Sequence, residues 1–245
     1  MIDFLRSESL IATDLNFFKG VSMIDFHAHI LPGVDHGSTS LKSSLSQLDL
    51  AADAGVKTIV STSHFYPHYH TVDKFLEKRN SAFMELLRET KESHPKIILA
   101  AEVLVCEGLE KLPMLESLAI ADSGYILLEI PFNNCSSEIV DTVRRINSNP
   151  NTKVILAHAD RYSSKYVEEF LEFGAKIQLN ATAFTGFFTP SHIKSYLDRD
   201  LVVALGSDIH GADPKAYKYY LKAKKKLGAH YDRIMQHSMK ILAES

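Results

Sequence analysis

The chain has only two cysteines, no apolar run long enough to cross a bilayer, and no excess of basic charge. Each shortage removes a class of protein. Cys106 and Cys135 have no metal-type spacing and do not suggest a disulfide framework. Acidic Glu107 beside Cys106 disfavours a thiolate, so both are read as ordinary thiols. A membrane helix needs roughly 18 consecutive apolar residues; without one, no membrane insertion is expected. The first residues carry Arg6, Glu8, Asp14 and Lys19 among their apolar positions, so they lack the apolar segment of a secretory signal. A cytoplasmic protein is the expectation. The net charge of −3 gives no reason to expect nucleic acid as a partner. Four lysines within Lys222–Lys226 run against the average, and a solvated helix face accounts for them. Linkers, low-complexity stretches and an internal repeat period are also missing. With 245 residues, 45% hydrophobic and 23% charged, the chain suits one globular α/β domain of barrel size.

What is present is an alternation. Strands are expected at Val21–Phe26, Val56–Thr62, Lys96–Val103, Tyr125–Ile130, Lys153–Ala157, Ala175–Asn180 and Leu201–Gly206. Helical patterns separate most of them. The first runs from polar Ser38–Ser44 to about Ala54, with Gly55 where a C-cap belongs, and the second from Val72 to about Ser93, stopped by Pro95. Others are expected at Ser136–Asn147, Ser163–Phe173, Pro190–Asp198 and Pro214–Leu227, with a last helix from about His230 to Ala243. Strands alternating with helices pair in parallel through right-handed crossovers, and seven such units favour a closed barrel over an open sheet. Residues 1–22 stand apart as an N-terminal extension of unassigned role, in which Met1-Ile2-Asp3-Phe4 is echoed by Met23-Ile24-Asp25-Phe26. The remainder, 23–245, is read as one domain.

The chemistry sits at the ends of these strands. His27 and His29 are two apart on a strand and therefore face the same way. Two buried imidazoles side by side cost free energy unless each finds a partner, and neutral imidazole is the commonest metal ligand. The first strand's loop adds His36, the second strand ends at His64, the third at Glu102, the fourth at Glu129 and the fifth at His158. The seventh is followed by Asp208 and His210. In a parallel barrel these carboxyl ends converge on one face. Six histidines and three carboxylates exceed the three or four donors of one catalytic ion and suit two or three, with a bridging carboxylate. Imidazole and carboxylate without thiolate are compatible with manganese, iron or zinc and do not choose among them. Such a cluster lowers the pKa of bound water and clamps both oxygens of an in-line phosphoryl displacement.

The run Asp25-Phe26-His27-Ala28-His29-Ile30-Leu31-Pro32-Gly33-Val34-Asp35-His36-Gly37 resembles the opening motif of the polymerase and histidinol phosphatase (PHP) family. Its capsule-biosynthesis branch of metal-dependent protein tyrosine phosphatases is the nearest likeness. Thr58–His64, Ala101-Glu102, Leu128–Ile130, Leu156–Tyr162 and Gly206–His210 continue the resemblance in order. It implies a distorted seven-unit (β/α) barrel of TIM-like type with a trinuclear centre. It also implies hydrolysis of phosphotyrosine on a protein, usually a bacterial tyrosine kinase controlling exopolysaccharide production. By the same resemblance His27, His29, Glu102 and Asp208 hold one ion, and Glu102 bridges to a second shared with Glu129 and His158. His64, His210 and the position of His36 hold a third. Arg161 matches an arginine placed beside the phosphate, where a guanidinium can bind bidentately. The branch usually has a second aspartate where this chain has His36. Histidinol phosphate or another small phosphomonoester is the alternative substrate class, and a non-catalytic regulatory domain a third reading. The Tyr66–His70 stretch is either a substrate-recognition loop or an exposed polar loop, and Asn133 and Asn134 either touch substrate or form a turn.

Overall fold

The computed structural model describes residues 22–131 and 136–243. The N-terminal extension up to residue 21, together with Asn133, Asn134 and Cys135, lies outside the described residues. In chain order the elements are β1 (Ile24–His29), α1 (Leu41–Asp53), β2 (Thr58–Ser61), β3 (His64–Phe65), α2 (Val72–Glu89), β4 (Lys96–Leu99), β5 (Glu102–Leu104) and β6 (Tyr125–Glu129). Then follow α3 (Ser137–Ser148), β7 (Lys153–Leu156), α4 (Ser164–Glu172), β8 (Lys176–Asn180), α5 (Ser191–Asp198), β9 (Val202–Gly206), β10 (Ile209–His210), α6 (Pro214–Leu227) and α7 (Ala229–Ala243).

All strand pairs are parallel, in a sheet ordered β10-β1-β2-β4 and another ordered β3-β5-β6-β7-β8-β9. The two sheets are one ring. β2 continues into β3, β4 into β5 and β9 into β10, so three bent staves carry one sheet into the other, at both edges of the six-stranded sheet. Backbone bonds cross the bends: Ala100 N donates to Ser61 O (2.9 Å), Glu102 N to Ser63 O (3.1 Å) and Asp208 N to His27 O (2.8 Å). Seven staves therefore close a barrel, as the alternation implied. The third is broken inside the single strand expected at Lys96–Val103, and the second and seventh resume past their expected ends as β3 and β10. Each break, at Thr62-Ser63, Ala100-Ala101 and Ser207-Asp208, lies at or next to a candidate donor, so the bend re-aims the side chain that follows.

The staves are apolar on both faces because helices cover the outside and side chains fill the inside. Every residue of β1 and β9 is buried. Helix starts follow local chemistry. Ser40 Oγ accepts from Ser43 N (3.2 Å), Ser136 Oγ from Ile139 N (3.4 Å) and Asp213 Oδ1 from Lys215 N (2.9 Å), with Pro214 in the first turn of α6. α2 ends four residues before the expected Ser93. Thr90 turns extended, and its hydroxyl donates back to Leu87 O (2.8 Å). Between β5 and β6 two short 3-10 turns, Leu109–Lys111 and Leu115–Leu118, stand where a helix would. Buried Asp25 ties β1 to the last stave. It accepts from Ser207 N (2.8 Å) and from the Tyr217 hydroxyl of α6 (2.9 Å). Among the described residues no helix is long and apolar enough to cross a membrane.

Candidate metal centre

The pleat of β1 sends His27 and His29 the same way, and their Nε2 atoms lie 3.1 Å apart. Two glycines make room for them. A Cβ at Gly206 would sit 2.4 Å from His27 Cβ, and one at Gly37 would sit 2.1 Å from His29 Cβ. Each ring is oriented from behind. His27 Nδ1 lies 3.1 Å from Gln178 Oε1, and His29 Nδ1 lies 2.9 Å from Asp35 Oδ2. With Nδ1 carrying the proton toward its oxygen partner, Nε2 of each ring presents a lone pair to the mouth. Asp35 also accepts from Gly37 N (2.8 Å) and His64 N (2.9 Å), fixing the first loop against the second stave.

Glu102, 1% exposed, stands among four imidazoles. Its Oε2 is 3.2 Å from His27 Nε2, 3.2 Å from His29 Nε2 and 3.1 Å from His64 Nδ1, and its Oε1 is 2.8 Å from His158 Nε2. Glu129 approaches His64 Nδ1 at 3.7 Å and His158 Nε2 at 3.6 Å. Asp208 Oδ1 lies 3.6 Å from His27 Nε2, 3.4 Å from His29 Nε2 and 3.5 Å from His210 Nδ1. The exposed His36 ring faces those of His64 and His210, with centroids 4.8 and 4.7 Å away. Arg161, on the 3-10 turn Ala159–Arg161 after β7, pairs with Asp208 Oδ2. The structure thus gathers the nine candidate donors and Arg161 into one mouth. Three sets of donor atoms lie within 4.8 Å of one another: His27, His29 and Asp208; His64, Glu102 and Glu129; and His29, His64 and His210. The sets overlap, with His29 and His64 each in two.

These residues fit a cation cluster. His64 Nδ1 and Glu102 Oε2 are buried with no hydrogen-bond partner among the described residues, an arrangement that costs free energy unless something satisfies them. The donors are imidazole and carboxylate, the chemistry of a divalent transition ion. Charge is arranged to match. Burial opposes ionising Glu102, but the neighbouring His27 and a hydrogen bond from His158 hold its pKa well below the carboxylate range. Asp208 is likewise held low against burial by His27, His29 and Arg161. Burial presses His64 down to about 4, leaving it neutral. For His158 burial is outweighed by Glu102 and Glu129, which lift it to about 9. Two donors sit in the left-handed backbone region, His158 at φ 32° and Asp208 at φ 53°, where a non-glycine residue is strained.

Sequence reasoning missed the residues behind the donors. Asp35 stands in the opening motif but carries no role there. Gln178 and Asn180, on a stave that offers no metal ligand, form an amide relay. Gln178 Oε1 accepts from His158 N (2.6 Å), Gln178 Nε2 donates to Asn180 Oδ1 (2.9 Å) and Asn180 Nδ2 donates to Asp208 Oδ2 (2.9 Å). Polar residues at alternate positions of an otherwise apolar strand were the available signal. In the Tyr66–His70 loop, Tyr66 stacks on His64 (centroids 5.2 Å, 17°). Tyr69, 79% exposed, meets Tyr66 edge-on at 6.3 Å.

A parallel β/α barrel with a multidentate imidazole and carboxylate mouth defines a class of metal-binding barrel protein. Within it, the family described as capsular polysaccharide synthesis, CpsB/CapC, matches residues 23–243, and the chain belongs to that family. It is 32% identical over 226 residues to the tyrosine-protein phosphatase CpsB of Streptococcus pneumoniae, covering 84% of this chain and 92% of that one. The tyrosine-protein phosphatase YwqE of Bacillus subtilis is 26% identical over 208 residues, 80% of each chain. A solved chain from the crystal structures of YwqE and CpsB, described as metal-dependent tyrosine phosphatases, superposes with a TM-score of 0.72 at 20% identity. That superposition covers 90% of this chain and 94% of that chain, and shows the shared fold.

Proposed function

We propose that this protein is a metal-dependent phosphomonoesterase that removes phosphate from tyrosine of a protein in capsule or exopolysaccharide biosynthesis. The observation that carries the reading is Glu102 among four imidazoles in the mouth of the barrel. Membership of the CpsB/CapC family, whose curated relatives are named tyrosine-protein phosphatases, supports the substrate class. Residues 23–245 act as the catalytic unit.

His27, His29, Glu102 and Asp208 would hold one ion, and Glu102, with Glu129 and His158, would hold a second. His64, His210 and His36 are assigned to a third. When bound, such divalent ions, manganese first with iron or zinc as alternatives, would polarise the phosphoryl group and acidify a water. The protein's own part is positioning. Gln178 and Asp35 hold the rings of His27 and His29 with Nε2 forward, so donors need no reorganisation when an ion arrives. Asn180 holds one oxygen of Asp208, leaving Oδ1 for the cluster. Arg161, its side chain 41% exposed, has guanidinium donors beyond the one given to Asp208, and these are assigned to the substrate's phosphate oxygens. The rings of Tyr66 and Tyr69 offer an aromatic wall for the phenyl ring of phosphotyrosine, and the exposed rim suits a protein chain rather than a closed metabolite pocket. The tail of a bacterial tyrosine kinase is the proposed partner. A cytoplasmic setting goes with it, because the kinase consumes ATP there.

The test is kinetics of metal-reconstituted protein on a phosphotyrosine peptide and on histidinol phosphate, with elemental analysis in parallel. We expect two to three metal ions per chain and a higher kcat/KM on the peptide. Preference for histidinol phosphate would reject the protein substrate. Turnover of neither by fully loaded protein would reject the phosphatase.

A further inference from the structure

The segment between the 3-10 turn Ala181–Phe184 and α5 carries two consecutive phenylalanines with almost nothing around them. Phe187 is 99% exposed and Phe188 86%. Single exposed apolar residues are ordinary, but two adjacent aromatic rings at a loop tip leave a contiguous apolar surface in water. The surface beside them is basic. α6 carries Lys215, Lys218, Lys222, Lys224, Lys225 and Lys226 and no acidic residue. Lys222 Nζ donates to Thr185 O, and Lys226 Nζ donates to Gly186 O (2.8 Å). The helix therefore grips the base of the loop and fixes the rings outward. Lys225 lines the same cleft as Phe187. None of these residues enters the metal centre, and a solvated helix face does not explain why the lysines hold an aromatic tip.

We propose that Phe187, Phe188 and the lysines of α6 form a docking surface for an anionic lipid bilayer. A protruding apolar tip beside a row of cations matches the two layers of a membrane interface, with rings at the acyl boundary and ammonium groups among anionic headgroups. A bilayer receives such a tip without a preformed pocket, whereas a protein partner would need a cavity for two full rings. Charge complementarity sets the lipid class, and because all of these lysines but half-buried Lys226 are exposed, salt must weaken the contact. The attachment lies on the membrane surface and needs no spanning helix. It is separate from phosphatase chemistry and stands whether or not that assignment holds.

The test is co-sedimentation of the full chain with vesicles of phosphatidylcholine alone and of phosphatidylcholine mixed with phosphatidylglycerol. We expect binding to the mixed vesicles only, weakened by salt. The Phe187→Ser/Phe188→Ser double variant should lower partitioning by at least about tenfold, and Lys225→Glu by a smaller factor. Both changes are at the surface, so the unfolding midpoint and hydrolysis of a soluble aryl phosphate should stay unchanged. Failure to bind the mixed vesicles overturns the proposal, as does equal binding by the double phenylalanine variant. Phenylalanine-dependent binding to soluble polyglutamate without vesicle binding would make this an acidic-protein surface and also overturn it.

Discussion

The mouth of the barrel has a floor and a rim, and the two are built differently. On the floor, His27, His29, Glu102 and His158 are at most 1% exposed. His27 and His29 belong to β1, Glu102 opens β5, and His158 follows β7 with its backbone tied to Gln178. On the rim, His36 and Arg161 sit on turns and are exposed, while the His210 side chain is 32% exposed. His27 and His29 are held twice, by stave register and by a side chain behind the ring, while Glu102 is held by register and His158 through its backbone bond to Gln178. Rim groups lean on one another through ring faces and one ion pair. The floor is thus set by the fold before any ion or substrate arrives, whereas the rim takes its final geometry from what binds. Substitutions on the floor should remove the metal; those on the rim should change substrate handling or a single ion.

The largest effect is expected at Glu102. Glu102→Ala removes the carboxylate shared by four imidazoles and should cost more than about a thousandfold in kcat, with loss of metal measured by elemental analysis. Activity within about tenfold of the parent would break the distinction between floor and rim. Behind the floor, Gln178→Leu should weaken metal affinity by roughly 10- to 100-fold without altering substrate preference, checked by chelator competition. At the rim, Arg161→Lys keeps the charge but loses the planar fork, so kcat/KM on a phosphotyrosine peptide should fall by at least about tenfold, roughly 1.4 kcal/mol, at unchanged metal content. His36→Ala should lose one ion and His36→Asp should keep it, which the same metal analysis decides. If alanine costs no ion, His36 is a loop residue and the centre is at most dinuclear.

The last effect belongs to the metal-free chain alone, a pH dependence of its stability. His158 is raised to about 9 from an ordinary 6.5, so its stabilisation is present below 6.5 and lost as pH rises through about 9. His64 is lowered to about 4, so its contribution is present above 6.5 and lost as pH falls from there toward 4. The two opposite shifts should give an optimum near neutrality, with a change on either side of up to about 3 kcal/mol. Urea unfolding across pH reads it directly, and stability that rises steadily from acid to alkaline would contradict this pairing.

The seven staves were legible because parallel strands buried on both faces must be continuous runs of apolar residues. Their breaks were not. Ala100-Ala101 lies inside such a run, and an apolar pattern is the same for a straight strand and a bent one. The donors were legible for a related reason. His, Glu and Asp at the carboxyl ends of apolar strands are costly anywhere but a site. Gln178 and Asn180 carry no charge and bind no metal by habit, so their alternation along an apolar strand marks a polar face without saying what it holds. Their role needs the contact across the barrel to His27, His158 and Asp208. Asp35 was visible in the opening motif, but its bond to His29 depends on how the loop folds back over β1. Phe187 and Phe188 read as ordinary apolar residues, since exposure is not written in a local pattern.

Gly206 and Gly37 carry a consequence for how such chains diverge. A single methyl group at either position would collide with the Cβ of His27 or His29, at 2.4 and 2.1 Å. The ring would be displaced while every donor remained in the sequence. A descendant with alanine at one of these places would keep a full roster of imidazoles and carboxylates and still be unable to assemble them. Loss of the centre is therefore one codon away and invisible to anyone who counts ligands. The emptiness beside a histidine is as heritable a part of this centre as the histidine.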